Sequence, residues 1–171
     1  TFHCADNFGA TLQCYALQKA IEERFGYKTE VIDYRPYAIY SGYTIMLDWK
    51  RFRNRCKDRG IKNTVKNDLF NRLKTYNVRK EKKKKFDNFR KKYLNLTKKK
   101  FYKINNANAP IYDFYISGSD QVWNANITDG LDSAYFLDFA PDKAVKLSYA
   151  ASIAERIEEK QCQEYKKLLK N

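Results

Sequence analysis

The chain has 171 residues, with 34 Lys or Arg against 20 Asp or Glu and a net charge of +14. At 43% hydrophobic and 16% aromatic it can bury one sizeable core but not two, so one domain is expected. No apolar run reaches the roughly 18 residues of a membrane span, and one histidine with four scattered cysteines (Cys4, Cys14, Cys56, Cys162) leaves little from which to build a metal cage.

The expected setting is a reducing cytoplasm with free thiols and no metal. The absence of an initiator Met, together with a last segment that stops without a helix-ending signal, predicts a fragment.

Along the chain, residues 9–25 place Leu12, Tyr15, Ala16, Leu17, Ala20 and Ile21 at helical spacing, with Gly26 where a left-handed cap belongs. Cys14 is expected on the buried side. Lys28 to Tyr34 is short and β-branched and ends at Arg35-Pro36, as a buried strand would. With a strand ending near Phe2, the opening would be a βαβ unit.

Over residues 37–104 the pattern predicts a helical insertion, with Leu69, Leu73 and Tyr76 on one stripe and Phe86, Phe89, Tyr93 and Leu94 on another. Ile111 to Ser117 and Val145 to Ser152 read as further strands, and Ile157 to Leu169 as a last amphipathic helix. The fold class is therefore α/β, an open parallel sheet that binds ligands at the carboxyl ends of its strands.

Two loops lie at such ends. His3-Cys4-Ala5-Asp6-Asn7-Phe8-Gly9 sets a carboxylate, an amide and a glycine ahead of a helix N-terminus, where backbone N–H groups can hold an anion or a hydroxyl. Capping by Asp6 or Asn7 would use the same residues without a ligand. Ile116-Ser117-Gly118-Ser119-Asp120-Gln121-Val122-Trp123-Asn124 crowds small and hydrogen-bonding residues beside a Trp, as sugar sites do, although a tight turn with Trp123 in the core fits equally. Neither a Gly-x-Gly-x-x-Gly fingerprint nor a Walker loop is present. His3 could be an acid or base or simply satisfy a local hydrogen bond, and Cys4 beside it reads as an inert thiol.

The run Phe2 to Ala10 with Leu12-Gln13 and Tyr15 to Gln18 resembles the opening of the polysaccharide pyruvyl transferase family. Val31 to Pro36, Ile116 to Asn124, Tyr135-Phe136-Leu137 and Lys146 to Ser152 extend the resemblance in order along nearly the whole chain. It implies the N-terminal Rossmann-like half, residues 1–171, of a bacterial glycosyltransferase-B-like enzyme whose second domain is absent, so that this half alone should be inactive.

It further implies phosphoenolpyruvate as donor, no cofactor, and a ketal-pyruvylated polysaccharide of capsule, exopolysaccharide or cell wall as product, with the acceptor glycan lipid-linked in some cases. Asp6, Asn7, Gly9, Gly118, Ser119, Asp120, Gln121, Trp123 and Asn124 become the substrate-binding candidates, and His3, Asp6 and Asp120 the candidates for catalysis.

Between Arg79 and Lys103, thirteen Lys or Arg face only Glu81 and Asp87. This stretch could bind nucleic acid, but Phe86, Phe89 and Tyr93 share one stripe, which favours an ordinary solvated helix and no nucleic acid. It could also lie on the anionic inner face of the membrane. A sugar-nucleotide glycosyltransferase of similar fold is the remaining alternative.

Overall fold

A computed structural model describes residues 1–45, 48–65 and 70–170. In chain order the elements are α1 (Phe8–Phe25), β1 (Val31–Tyr34), α2 (Tyr37–Tyr40), α3 (Trp49–Arg59), α4 (Ile61–Thr64), α5 (Phe70–Lys74), α6 (Tyr76–Tyr93), β2 (Leu96–Phe101), β3 (Phe114–Ser117), α7 (Ala125–Thr128), β4 (Val145–Ser148) and α8 (Glu159–Leu168). β1 pairs with β2 and β3 with β4, both in parallel, so the fold is mixed α/β. None of the described helices is long and apolar enough to cross a membrane.

α1 is bracketed by its caps. The Asn7 Oδ1 accepts from the Ala10 N–H at 3.2 Å, and Gly26, at φ 70°, closes its N–H on the Glu22 carbonyl at 3.1 Å. Ala10, Thr11, Cys14 and Gln18 are buried, Cys14 as expected, and Tyr15, Leu17, Ala20 and Ile21 of the apolar stripe are half-buried, whereas Ala16 and Leu12, the latter 51% exposed, face outward. The reason is a polar side chain that apolar periodicity does not register. The Gln18 Oε1 accepts from the Asn95 N–H at 2.9 Å and its Nε2 donates to the Tyr93 carbonyl, stitching α1 to the junction of α6 and β2.

Three expectations are corrected. Thr1 and Phe2 lie in no strand of the structure, and residues 3–6 turn toward α1 with the Ala5 N–H donating to the Phe2 carbonyl at 2.9 Å. The insertion expected over 37–104 is helical only through Tyr93 and then returns as β2, which carries Lys98, Lys99 and Lys100 outward and buries Thr97 and Phe101. Lysine is a usual device on an edge strand, and it hides the strand from an apolar-alternation reading. Leu73 and Tyr76 are exposed, so their stripe is not a core face; Leu69 lies outside the described residues.

The second stripe does pack. Phe86 is buried and meets Phe8, while Phe89 and Tyr93 sit edge-on to Tyr15 with centroids 5.9 Å away in each case. The core centres on Phe2, Cys4, Ile39, Val122 and Tyr135, with a second cluster around Tyr115, Leu137 and Phe139. Between β1 and β3 runs an apolar groove of about 690 Å³, with Leu17 and Ile21 of α1, Ile32 of β1 and Ile116 of β3 among its walls.

Candidate functional site

A cleft of about 650 Å³ opens where three segments meet: the loop before α1 with its first turns, residues 38–43 after β1, and the loop after β3. Both strands therefore deliver their carboxyl ends to it, the position at which open α/β sheets bind ligands. Asn7, Gln13, Tyr43, Asp120 and Gln121 supply its polar side chains; Phe2, Ala10, Ile39 and Ile127 supply apolar surface. Asp120 is the one charged side chain among the described lining residues.

The loop after β3 is held from behind. Asp120 forms a parallel bridge with Ala151, its carbonyl accepts from the Ser152 N–H at 2.9 Å, and the Trp123 N–H donates to the Ser152 carbonyl at 3.2 Å. Among the described residues, the Asp120 Oδ1 accepts only from the neighbouring Gln121 N–H, at 2.8 Å, which leaves lone pairs for hydroxyl groups.

Of the residues singled out from sequence, Asn7, Gly9, Asp120 and Gln121 come together on this cleft. Ser119 is half-buried beside them in the chain. Asn124 is buried; its Oδ1 caps α7 by accepting from the Asn126 N–H at 2.9 Å. Trp123 stacks on Phe136 at 5.4 Å and donates from Nε1 to the Tyr135 carbonyl at 3.0 Å, so its ring serves the core.

Gly118 faces the methyl groups of two side chains. A Cβ there would stand 2.8 Å from the Leu17 Cδ2 and 2.9 Å from the Thr1 Cγ2. Because both are ends of flexible side chains that can shift, Gly118→Ala is expected to lower stability by about 1 kcal/mol or less, as measured by urea unfolding.

His3 and Asp6 lie behind the cleft, in two buried ionic groups. In the first, the Asp33 carboxylate accepts from Arg35 Nε at 2.6 Å, from Arg35 Nη2 at 3.0 Å and from His3 Nε2 at 3.1 Å. Burial pushes the Asp33 carboxyl up, but the hydrogen bonds from His3 and Arg35 outweigh it and hold the group at about 2. Burial lowers the His3 pKa despite Asp33, so at neutral pH the imidazole is uncharged and donates a hydrogen bond.

In the second group, Arg90 of α6 is 1% exposed. Its Nη2 donates to Asp6 at 2.7 Å and to Asp87 at 2.8 Å, and its Nη1 reaches the carbonyls of His3 and Ala5 at 3.4 and 3.3 Å. Lys83 stands 3.9 Å from Asp6. One guanidinium thus fixes the backbone of the loop whose far end, Asn7 and Gly9, faces the cleft.

Sequence reasoning did not single out Gln13 or residues 38–43 as cleft residues. Gln13 is one turn into α1 from Gly9, and residues 38–43 follow the Pro36 that ends β1; neither carries a signal until the strands are placed. Cys4 is a buried thiol pushed up to about 11 by burial, which makes it a poor nucleophile. Among the described residues, no cluster of three or more His, Cys, Asp or Glu could hold a metal ion.

No curated protein and no solved structure matches the chain. The model of one family does, over residues 7–171, which include the cleft residues from Asn7 onward but not Phe2 and Ala5. The chain belongs to the polysaccharide pyruvyl transferase family.

Proposed function

We propose that the protein transfers pyruvate from phosphoenolpyruvate to a polysaccharide sugar as a cyclic ketal, and that the cleft between the two loops takes the acceptor sugar. The observation carrying this reading is the cleft's lining: amides, a phenol and one carboxylate over apolar surface, with no cation among the described lining residues. Such a surface suits ring hydroxyls and ring carbons. It does not suit the phosphate and carboxylate of the donor, which need cations; the two buried arginines described are already committed to Asp33 and to Asp6 and Asp87.

On this reading the chain is the N-terminal, Rossmann-like half of a glycosyltransferase-B-like enzyme, and a second half supplies the donor-binding cations. The reaction protonates the enol CH₂ to a methyl group as one sugar hydroxyl adds to the adjacent carbon. The carbon–phosphate oxygen bond then breaks, and a second hydroxyl of the same sugar closes the ketal. Of the two hydroxyl protons, one balances the methyl group and the other leaves with phosphate. No cofactor is required, and the setting is the cytoplasmic assembly of a capsule, exopolysaccharide or cell-wall polymer.

Asp120 orients an attacking hydroxyl, with Asn7 and Gln121 holding its neighbours. In the protein with both halves, Asp120→Ala is expected to lower turnover about tenfold or more with little change in stability, because its carboxylate is bonded only to the Gln121 N–H among the described residues. Acceptor-dependent phosphate release from phosphoenolpyruvate measures it, and an unchanged rate would remove Asp120 from the site.

A further inference from the structure

The stretch from α3 to the first turn of α6 exposes large apolar side chains that the reaction does not use. Trp49, Ile61, Phe70, Leu73 and Val78 are 72, 69, 67, 71 and 68% exposed. Single exposed apolar side chains are ordinary, but five large ones within thirty residues are not. Residues 49–80 also hold twelve Lys or Arg against only Asp58 and Asp68. Phe70 and Leu73, three apart on α5, share a helix face, and so do Ile61 and Val65 at a spacing of four.

The segment is tied to the body at both ends. The Tyr37 hydroxyl donates to the Asp48 carboxylate at 2.6 Å, and Arg79 Nη2 donates to the Thr44 carbonyl at 3.0 Å.

We propose that the described residues between Trp49 and Val78 dock on an anionic lipid bilayer, with these apolar side chains entering the boundary between headgroups and acyl chains and the exposed Lys50, Arg53, Lys57, Lys62 and Lys74 pairing with lipid phosphates. Large apolar groups interleaved with Lys and Arg are the composition of helices that lie in the membrane interface. Nucleic acid would use the same cations and could stack on Trp49 or Phe70, but it offers nothing to Ile61, Leu73 and Val78, which a bilayer buries. The neighbouring stretch 79–103, basic as it is, commits Phe86, Phe89 and Tyr93 to α1 and brings charge alone.

This inference is independent of the pyruvyl-transfer reading. Its test is flotation of the whole protein with phosphatidylcholine vesicles, with and without phosphatidylglycerol, beside Phe70→Ser/Leu73→Ser and Trp49→Ser variants checked for folding by circular dichroism. The protein should float with the anionic vesicles only, and each variant should bind about tenfold more weakly. Quenching of Trp fluorescence by bromolipid in the unmodified protein reads the same insertion without a substitution, since Trp123 is stacked in the core. Absence of flotation at low salt, undiminished flotation of the variants, unquenched Trp fluorescence, or tighter retention of single-stranded RNA than of vesicles would each overturn the proposal.

Discussion

Replacing Arg90 by Met is expected to destabilise the protein by about 3–5 kcal/mol, lowering Tm by on the order of 10 °C. The guanidinium is buried, and its loss leaves Asp6, among the described residues, with Lys83 at 3.9 Å as its one remaining cation, removes a donor from the His3 carbonyl, and leaves the Ala5 carbonyl with the Thr11 hydroxyl alone. Adding Asp6→Asn should recover part of the loss, because removing both members of a buried pair costs less than stranding one. Urea unfolding of the single and double variants checks both statements. A cost below about 1 kcal/mol for Arg90→Met would mean that the network holds nothing.

Asp33→Asn should cost about 3 kcal/mol at neutral pH, since Arg35 and His3 converge on that one carboxylate and an amide offers a single, uncharged acceptor. The pH dependence follows from the two shifts. Asp33 titrates at about 2 when folded and at about 3.9 when unfolded, so its contribution is complete above the unfolded value and is lost as pH falls through the folded one.

His3 is lowered as well, and burial favours its neutral form. Its contribution is likewise present above about 6.5 and fades as pH falls below that. Both groups therefore make the protein weaken on acidification, first below about 6.5 and again below about 4. In Asp33→Asn the second stage should shrink. A variant whose unfolding free energy falls below about pH 4 as steeply as the parent's would contradict this assignment.

The sequence was legible where one physical signal dominated. Asn7 and Gly26 mark the ends of α1, and β-branched residues before Pro36 mark β1. It was not legible where polar groups set the packing. Gln18 turns the buried face of α1 away from Leu12, and Lys98 to Lys100 disguise β2 as helical insertion. At the site, Asn7, Gly9, Asp120 and Gln121 meet at one cleft as the loop positions suggested. Long-range pairing decides the rest: Arg90, 84 residues away in sequence, claims Asp6, and Asp33 claims His3. No spacing rule reaches across such separations.

Transfer itself is the most direct test of the proposed activity. Phosphoenolpyruvate labelled with ¹³C at its enol carbon is incubated with the protein carrying both halves and with acceptor glycans, and the glycan is read by NMR. The label should enter the glycan as a ketal carbon with equimolar release of phosphate, and Asp120→Ala should slow both together. Phosphate release without label in the glycan, or transfer only from a nucleotide sugar, would contradict pyruvyl transfer.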